Sequence, residues 1–263
     1  MKPLDDAFAN APYIEGAEAY PPRWQEDAAQ LRTHLGTRAE LGLPYGVSER
    51  QVFDFFNTES AARGTVVFVH GGYWKAFDHS TWSHLARGAL AQGWSVAMPG
   101  YDLCPQVRIS DITEQIAQAV TRVAAKTTGP IALTGHSAGG HLVARMTNAS
   151  VLPDDVRARI VRVAPISPVA DLRPLLETTM NEQLRLDPAE AQAETVTNKP
   201  EPQGIDVRIW VGARERPVFL EQAAALSKAW NAPQVVVPEK HHFDVIEALE
   251  HVDSDLVRFL TGE

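Results

Sequence analysis

"IALTGHSAGGHLVARM", residues 131–146, carries the reading on which the fold depends. It opens as a short apolar run and closes as a helix-like pattern. Between them lies Gly135-His136-Ser137-Ala138-Gly139, a G-x-S-x-G match. A strand that turns at once into a helix crowds the backbone around the middle residue, so small residues are needed on either side. The pattern alone is common, and an idle serine in a glycine-rich turn produces it too. The strand before it and the helix after it make it informative, and Ser137 is the candidate nucleophile.

Working outward, apolar runs alternate with helix-like segments. Upstream stand strands "RQVFDFF", "TVVFVH" and "SVAMPG", with helices "TWSHLARGALAQG" and "SDITEQIAQAVTRVAAKT", the second opened by Ser110 and Asp111 with Glu114 three residues on. Downstream come strand "IVRVAPIS", helix "RPVFLEQAAALSKAWN" after strand "DVRIWVG", strand "PQVVVPE", and a final helix "VIEALEHVDSDLVRFLTG". This rhythm predicts an α/β fold: a mostly parallel sheet with helices on both faces, in one domain over 1–263. A Pro- and Tyr-containing stretch, 1–22, reads as an arm or lid, and a helix is expected from Trp24 to about Leu41. The segment of about 171–197 reads as helices inserted between two strands, a candidate cap.

A serine hydroxyl is a weak nucleophile at neutral pH and needs a base, usually a histidine oriented by a carboxylate. In a fold with this turn the order along the chain is serine, acid, histidine. His241, His242 and His251 come late enough, but His251 falls on the solvated side of the last helical pattern. The pair in "KHHFDVIEAL" lies in the loop before that helix. His242 is favoured because it precedes a phenylalanine whose anchoring fixes its orientation, whereas His241 can point to solvent. For the acid, Asp206 opens its strand at the wrong end of the sheet, and Asp244 reads as a cap of the final helix. Glu215 lies just beyond "IWVG" and can reach the loop of His242.

Acyl transfer builds negative charge on the substrate oxygen, which preorganised N–H groups must hold. Ala138, next after the serine, supplies one. "HGGYW", after the strand "TVVFV", supplies the others from Gly72 and Tyr73, with Gly71 allowing the turn and His70 bracing it. Tyr73 and Trp74 read either as substrate-binding surface or as core, and Phe77, Trp82 and Tyr101 as further aromatic walls.

"HGGYW", "YDLCP", "GHSAGGHL", "SPVADLRPL" with "NEQLRLD", "RERPVFLEQ" and "HHFDVIEAL" together resemble the α/β-hydrolase kynurenine formamidases (arylformamidases) and their bacterial esterase-like relatives. The matches run from about residue 20 to the end. "HGGYW" and "GHSAGGHL" also occur in hormone-sensitive-lipase-like esterases; the combination, with "HGG-x-W", is more specific. The resemblance implies an α/β-hydrolase fold and a serine hydrolase acting on aryl formamides or esters without metal or cofactor. It carries the nucleophile to Ser137, the base to His242 and the acid to Glu215, where the family commonly has Asp. A thioesterase of the same fold is the nearest rival, and a non-catalytic ligand-binding hydrolase fold a second.

Composition narrows the partners. The 263 residues carry a formal net charge of −9 with no run of Lys or Arg, which argues against nucleic acid or an anionic membrane surface. The single cysteine, Cys104, excludes an internal disulfide. The first residues carry acids where a signal peptide needs an apolar core, so a cytoplasmic protein is expected. The partner expected is a small-molecule ester or formamide; the oligomeric state, a homodimer included, stays open.

Overall fold

The computed structural model describes residue 2 and residues 4–263; residues 1 and 3 of the expected arm lie outside the described residues. One mixed sheet organises the chain. Its strands are β1 Ala39–Pro44, β2 Val52–Phe56, β3 Thr65–Val69, β4 Ser95–Pro99, β5 Ile131–His136, β6 Ile160–Ile166, β7 Asp206–Val207, β8 Ile209–Gly212 and β9 Gln234–Val237. Their spatial order is β1-β2-β4-β3-β5-β6-β8-β9, with β7 paired beside β6. β1 and β2 run antiparallel to their neighbours; from β4 onward the pairs are parallel. The central strands β3, β4 and β5 are buried throughout, which is why they read as unbroken apolar runs rather than as an alternation.

The helices are α1 Tyr20–Leu35, α2 Arg87–Ala91, α3 Ile109–Lys126, α4 Ala138–Arg145, α5 Asp154–Arg157, α6 Asn181–Leu184, α7 Pro188–Glu194, α8 Pro217–Trp230 and α9 Asp255–Thr261. Apolar clusters cover both sheet faces: one gathers Ile112, Ile116, Leu142 and Phe219, the other Trp24, Trp82, Ile246 and Phe259. Among the described residues no helix is long and apolar enough to cross a membrane.

Four sequence expectations need correction. The first helix starts at Tyr20 and ends at Leu35, because Gly36 leaves helical geometry at φ 55°. Leu41 instead lies in β1, a half-exposed edge strand whose composition carries no clear strand signal. The segment 81–93 is a 3-10 helix, His79–Ala86, followed by the short α2. The expected final helix divides into a 3-10 turn, Val245–Glu250, and α9, with a new N-terminus capped by the Ser254 hydroxyl. Asp244 does not cap it; its carboxylate accepts the His241 backbone N–H at 2.7 Å.

Parallel pairing in the order β3-β5-β6-β8-β9 is what positions the site. The carboxyl ends of five adjacent strands deliver, side by side, the "HGGYW" loop, Ser137, Ser167, Glu215 and His242. Ligands bind at this end of open α/β sheets because the loops there converge above the strand termini.

Candidate active site

Ser137 sits between β5 and α4 with φ 56° and ψ −114°, and is 3% exposed. A non-glycine residue in that conformation is strained by roughly 1–3 kcal/mol and persists only where its surroundings dictate it. They do. A Cβ at Gly139 would lie 2.0 Å from the Val69 carbonyl oxygen, and one at Gly135 would lie 2.4 Å from the Gly139 oxygen. The turn thus packs against the end of β3 with no room for side chains, while the Ser137 amide donates to Ile166 at 2.8 Å.

His242 is 4% exposed, and its Nδ1 lies 2.6 Å from Glu215 Oε2. A carboxylate only accepts, so Nδ1 carries the proton and Nε2 is left as the basic nitrogen. Glu215 is itself fixed: Oε1 accepts from the Gly212 amide at 2.8 Å and from the Ser167 hydroxyl. The extra methylene of Glu relative to Asp is accommodated by these two donors. No hydrogen bond joins the Ser137 hydroxyl to His242 among the described residues, but the two border one cavity. Such bonds often tighten only when substrate is bound.

The two adjacent histidines face different ways. His241 is not turned to solvent as expected: Nε2 pairs with the Tyr20 hydroxyl of α1 at 3.1 Å, and Nδ1 accepts the Phe243 and Asp244 amides at 3.1 and 3.3 Å. The phenylalanine beside His242, Phe243, is half-buried: it packs against the core cluster of Trp24 and Trp82 and also lines the cavity. His251 is exposed, and Asp206 lies at the start of β7, far from the carboxyl ends of the strands.

The glycine loop closes over the serine. A Cβ on Gly71 would lie 2.8 Å from the His136 oxygen and 3.1 Å from Ser137 Cβ, so only glycine permits this approach. Gly72 takes φ 108°, and Tyr73 and Trp74 take φ 51° and 55°. The amides of Gly72, Tyr73 and Ala138 have no acceptor among the described residues, as donors to a ligand require. His70 braces the loop, with Nδ1 donating to the Gly71 carbonyl at 2.7 Å and the ring stacked on Tyr101 at 4.3 Å. Burial lowers the His70 pKa to about 3, so the ring is a neutral strut.

The cavity above Ser137 has a volume of about 360 Å³. Trp24, Phe77, Trp82 and Phe243 wall one side, Tyr73 and the loop another, and residues 8–12 of the N-terminal arm a third. Two of the aromatic expectations are corrected: Trp74 is fully buried, edge-on to His141, and Tyr101 is buried against His70, so neither borders the cavity. The segment 171–197 contributes no lining residue. Its α7 packs beside α3 and α4, with Glu190 paired to Arg108 just before α3 and Glu194 to Arg145 at the end of α4.

Sequence reasoning missed Ser167, His136 and Trp24, and it read 1–22 as an arm or lid without naming which of its residues line the cavity. Ser167 follows β6 with φ 48° and no exposure, and "ISP" at a strand's carboxyl end was the available signal. His136 lines the cavity beside the serine, its ring 4.5 Å from that of His242, and burial holds its pKa well below the usual value.

A buried serine on a strained strand-to-helix turn, a histidine bonded to a carboxylate and a glycine loop, all at one end of a mostly parallel sheet, define an α/β-hydrolase architecture. The model of the alpha/beta hydrolase family matches residues 66–259, and the chain belongs to that family and is a hydrolase. It is similar to a kynurenine formamidase of Salmo salar, 27% identical over 235 residues that cover 84% of this chain and 80% of that one. To a kynurenine formamidase of Drosophila melanogaster it is 28% identical over 239 residues, covering 83% and 79%. Among solved structures, that of "a putative thioesterase" from Silicibacter sp. TM1040 is 56% identical with a TM-score of 0.98, covering 99% of this chain and all of that one. An esterase of Pyrobaculum calidifontis, 18% identical with a TM-score of 0.69 over 93% of this chain and 92% of that one, shares the fold.

Proposed function

We propose that the protein is a serine hydrolase cleaving short-acyl aryl formamides or carboxylic esters through a Ser137-His242-Glu215 triad. The supporting observation is the 2.6 Å contact between buried His242 and Glu215 at a cavity that Ser137 also lines. His242 Nε2 takes the Ser137 proton as Oγ attacks the acyl carbon, and Glu215 stabilises the imidazolium through Nδ1–H. The amides of Gly72, Tyr73 and Ala138 hold the oxyanion. His242 then gives its proton to the departing amine or alcohol, and water, activated by the same nitrogen, releases the acid from Ser137.

The aromatic walls suit a flat leaving group. The likeness to curated kynurenine formamidases favours a formyl group on an arylamine. The likeness to the Silicibacter protein favours a second reading, a thioesterase using the same residues. One panel separates them: kcat/KM for N-formyl-kynurenine, phenyl esters from acetyl to octanoyl, and matched acyl thioesters. Steep decline with acyl length and turnover of the formamide support the first reading; a maximum at octanoyl, or a preference for thioesters, overturns it.

A further inference from the structure

The N-terminal arm carries a buried side-chain oxygen with no hydrogen-bond partner. In "NAPY", Asn10 precedes the 3-10 helix Ala11–Tyr13, a position where an asparagine oxygen ordinarily accepts a helix N–H. Here it cannot. Pro12 has no N–H to offer, and the Tyr13 N–H is taken by the Asn10 backbone carbonyl at 2.9 Å, so the side chain makes no cap. Asn10 is nonetheless 9% exposed, and its Oδ1 has no hydrogen-bond partner. Among the described residues it is the one buried side-chain oxygen left in that state.

Asn10 lines the cavity that holds Ser137 and His242. Its place is fixed from several sides. The Tyr73 hydroxyl donates to the Phe8 carbonyl at 2.8 Å, Arg216 pairs with Asp6 at 2.7 Å and lies 3.6 Å from the Tyr13 ring centre, and Asp5 accepts the Thr179 amide at 2.6 Å. Phe8 packs edge-on to Phe219, whose ring is 4.3 Å from that of His242. No lining residue is an acid, so no side chain there offers an anionic acceptor. The unpartnered Trp24 and Trp82 Nε1 atoms of the same lining are donors and His136 Nε2 stands beside the serine, so Asn10 Oδ1 is the unpartnered oxygen on the arm, and a ligand that brings it no donor leaves it buried and dry.

With the serine hydrolysis proposed above as its basis, we infer that Asn10 is a specificity-determining residue whose Oδ1 accepts an N–H from the leaving group. The substrates this selects release an arylamine, or an aryl group bearing an amino substituent, in preference to a purely apolar aryl group.

Three substrate pairs test this, each with and without a donor: 3-aminophenyl and 3-methylphenyl acetate, 4-aminophenyl and 4-methylphenyl acetate, formanilide and N-methylformanilide. The natural protein is expected to favour the donor-bearing member of at least one pair by about tenfold relative to Asn10→Leu, whose preference falls to within about twofold of parity. A substitution that only loosens the arm lowers both members alike and leaves the preference unchanged; that result overturns the assignment. Binding of aniline and toluene to the Ser137→Ala protein, followed by NMR titration, reads the same choice without turnover. Aniline should lose its advantage when Asn10→Leu is added, and an unaltered advantage also overturns it. Failure of the serine reading is recognised separately, as hydrolysis of both pair members surviving in Ser137→Ala.

Discussion

Two of the walls of the cavity are opposite in character. The Ser137 turn is fixed by backbone against backbone: Gly135, Gly139 and Gly71 each stand where one more carbon would collide with a carbonyl oxygen. The arm opposite is held by side chains, several of them wet, including an Arg216–Asp6 pair in which the aspartate is 60% exposed. Steric fixation tolerates no substitution, whereas a set of polar clasps loosens by degrees. The proposed chemistry therefore stands on the part of the fold that cannot relax, and the proposed choice of substrate on a part that can.

The largest expected effect lies on the rigid wall. Ser137→Ala should leave a folded protein whose hydrolysis of p-nitrophenyl acetate falls by about 10⁴-fold or more, and His242→Ala should fall nearly as far with little added loss in the double variant. A loss below tenfold at Ser137, or a greater loss at His241 than at His242, breaks the assignment. Glu215→Gln should lower kcat by about 10²- to 10⁴-fold with the fold kept, because an amide no longer stabilises imidazolium. Ser167→Ala, which removes one donor to that carboxylate, should cost less than Glu215→Gln; the reverse order would mean that Ser167 has a role of its own.

Next comes the packing itself. Gly139→Ala places a Cβ 2.0 Å from the Val69 oxygen and 2.6 Å from the His70 oxygen, so strand and turn must separate. A destabilisation of about 3 kcal/mol, with activity lost even where the protein remains folded, is expected from chemical denaturation. An Ala variant as stable and active as the natural protein would show that the turn is not sterically fixed.

How legible these walls were in the sequence follows from the same contrast. The rigid wall announces itself, because steric constraint at close range demands glycine and serine at fixed spacing, and "HGGYW" and "GHSAGG" satisfy it within a few residues. Glu215 and His242 could be placed because adjacent parallel strands bring successive loops together. The stretch 1–22 could be read as an arm or lid but not its contacts: Asn10 and Phe8 of the arm, like Trp24 of α1, meet the serine only through tertiary packing across more than a hundred residues, and no local pattern encodes that. Trp74 misled for the related reason that a large aromatic beside a loop looks alike whether it turns outward or into the core. β1 was lost because an exposed edge strand has no alternation to read, and the final helix was overextended because its pattern continues across the break at Ser254.

Acid should act on the interior before the arm. Burial lowers the pKa of His70 and His84 to about 3 and that of His141 to about 4, against an ordinary value of 6.5. As pH falls below 6.5 the unfolded chain binds protons at these rings while the folded chain does not, so stability declines progressively down to about pH 3 to 4. His79 has the opposite sign: burial opposes its charge, but Asp54 and Asp78 outweigh that and lift it to about 9. Its contribution is complete below pH 6.5 and fades as pH rises through 9. The urea midpoint should therefore fall on both sides of neutrality, more steeply on the acid side. An unchanged midpoint between pH 7 and pH 4.5 would mean that the three histidines are not held neutral.

The smallest effect expected is at the clasp. Arg216 is 21% exposed at its side chain, and its partner Asp6 is 60% exposed, so water and salt screen most of the attraction. Removing the guanidinium with Arg216→Ala also removes its contact with the Tyr13 ring, and together these are worth about 1 kcal/mol. That corresponds to a rise of roughly fivefold in KM with kcat nearly kept, because the loss falls on the arm's closed position and not on Ser137 or His242. The same variant isolates the ionic part of the clasp. In the natural protein KM should rise between 50 and 500 mM NaCl, and in Arg216→Ala that rise should be reduced, since the screened pair is gone. Equal salt dependence in both proteins would show that the Arg216–Asp6 pair does not hold the arm. A fall in kcat as large as that of Glu215→Gln would show something else: that the neighbouring Glu215 had moved, so that the two walls are mechanically one.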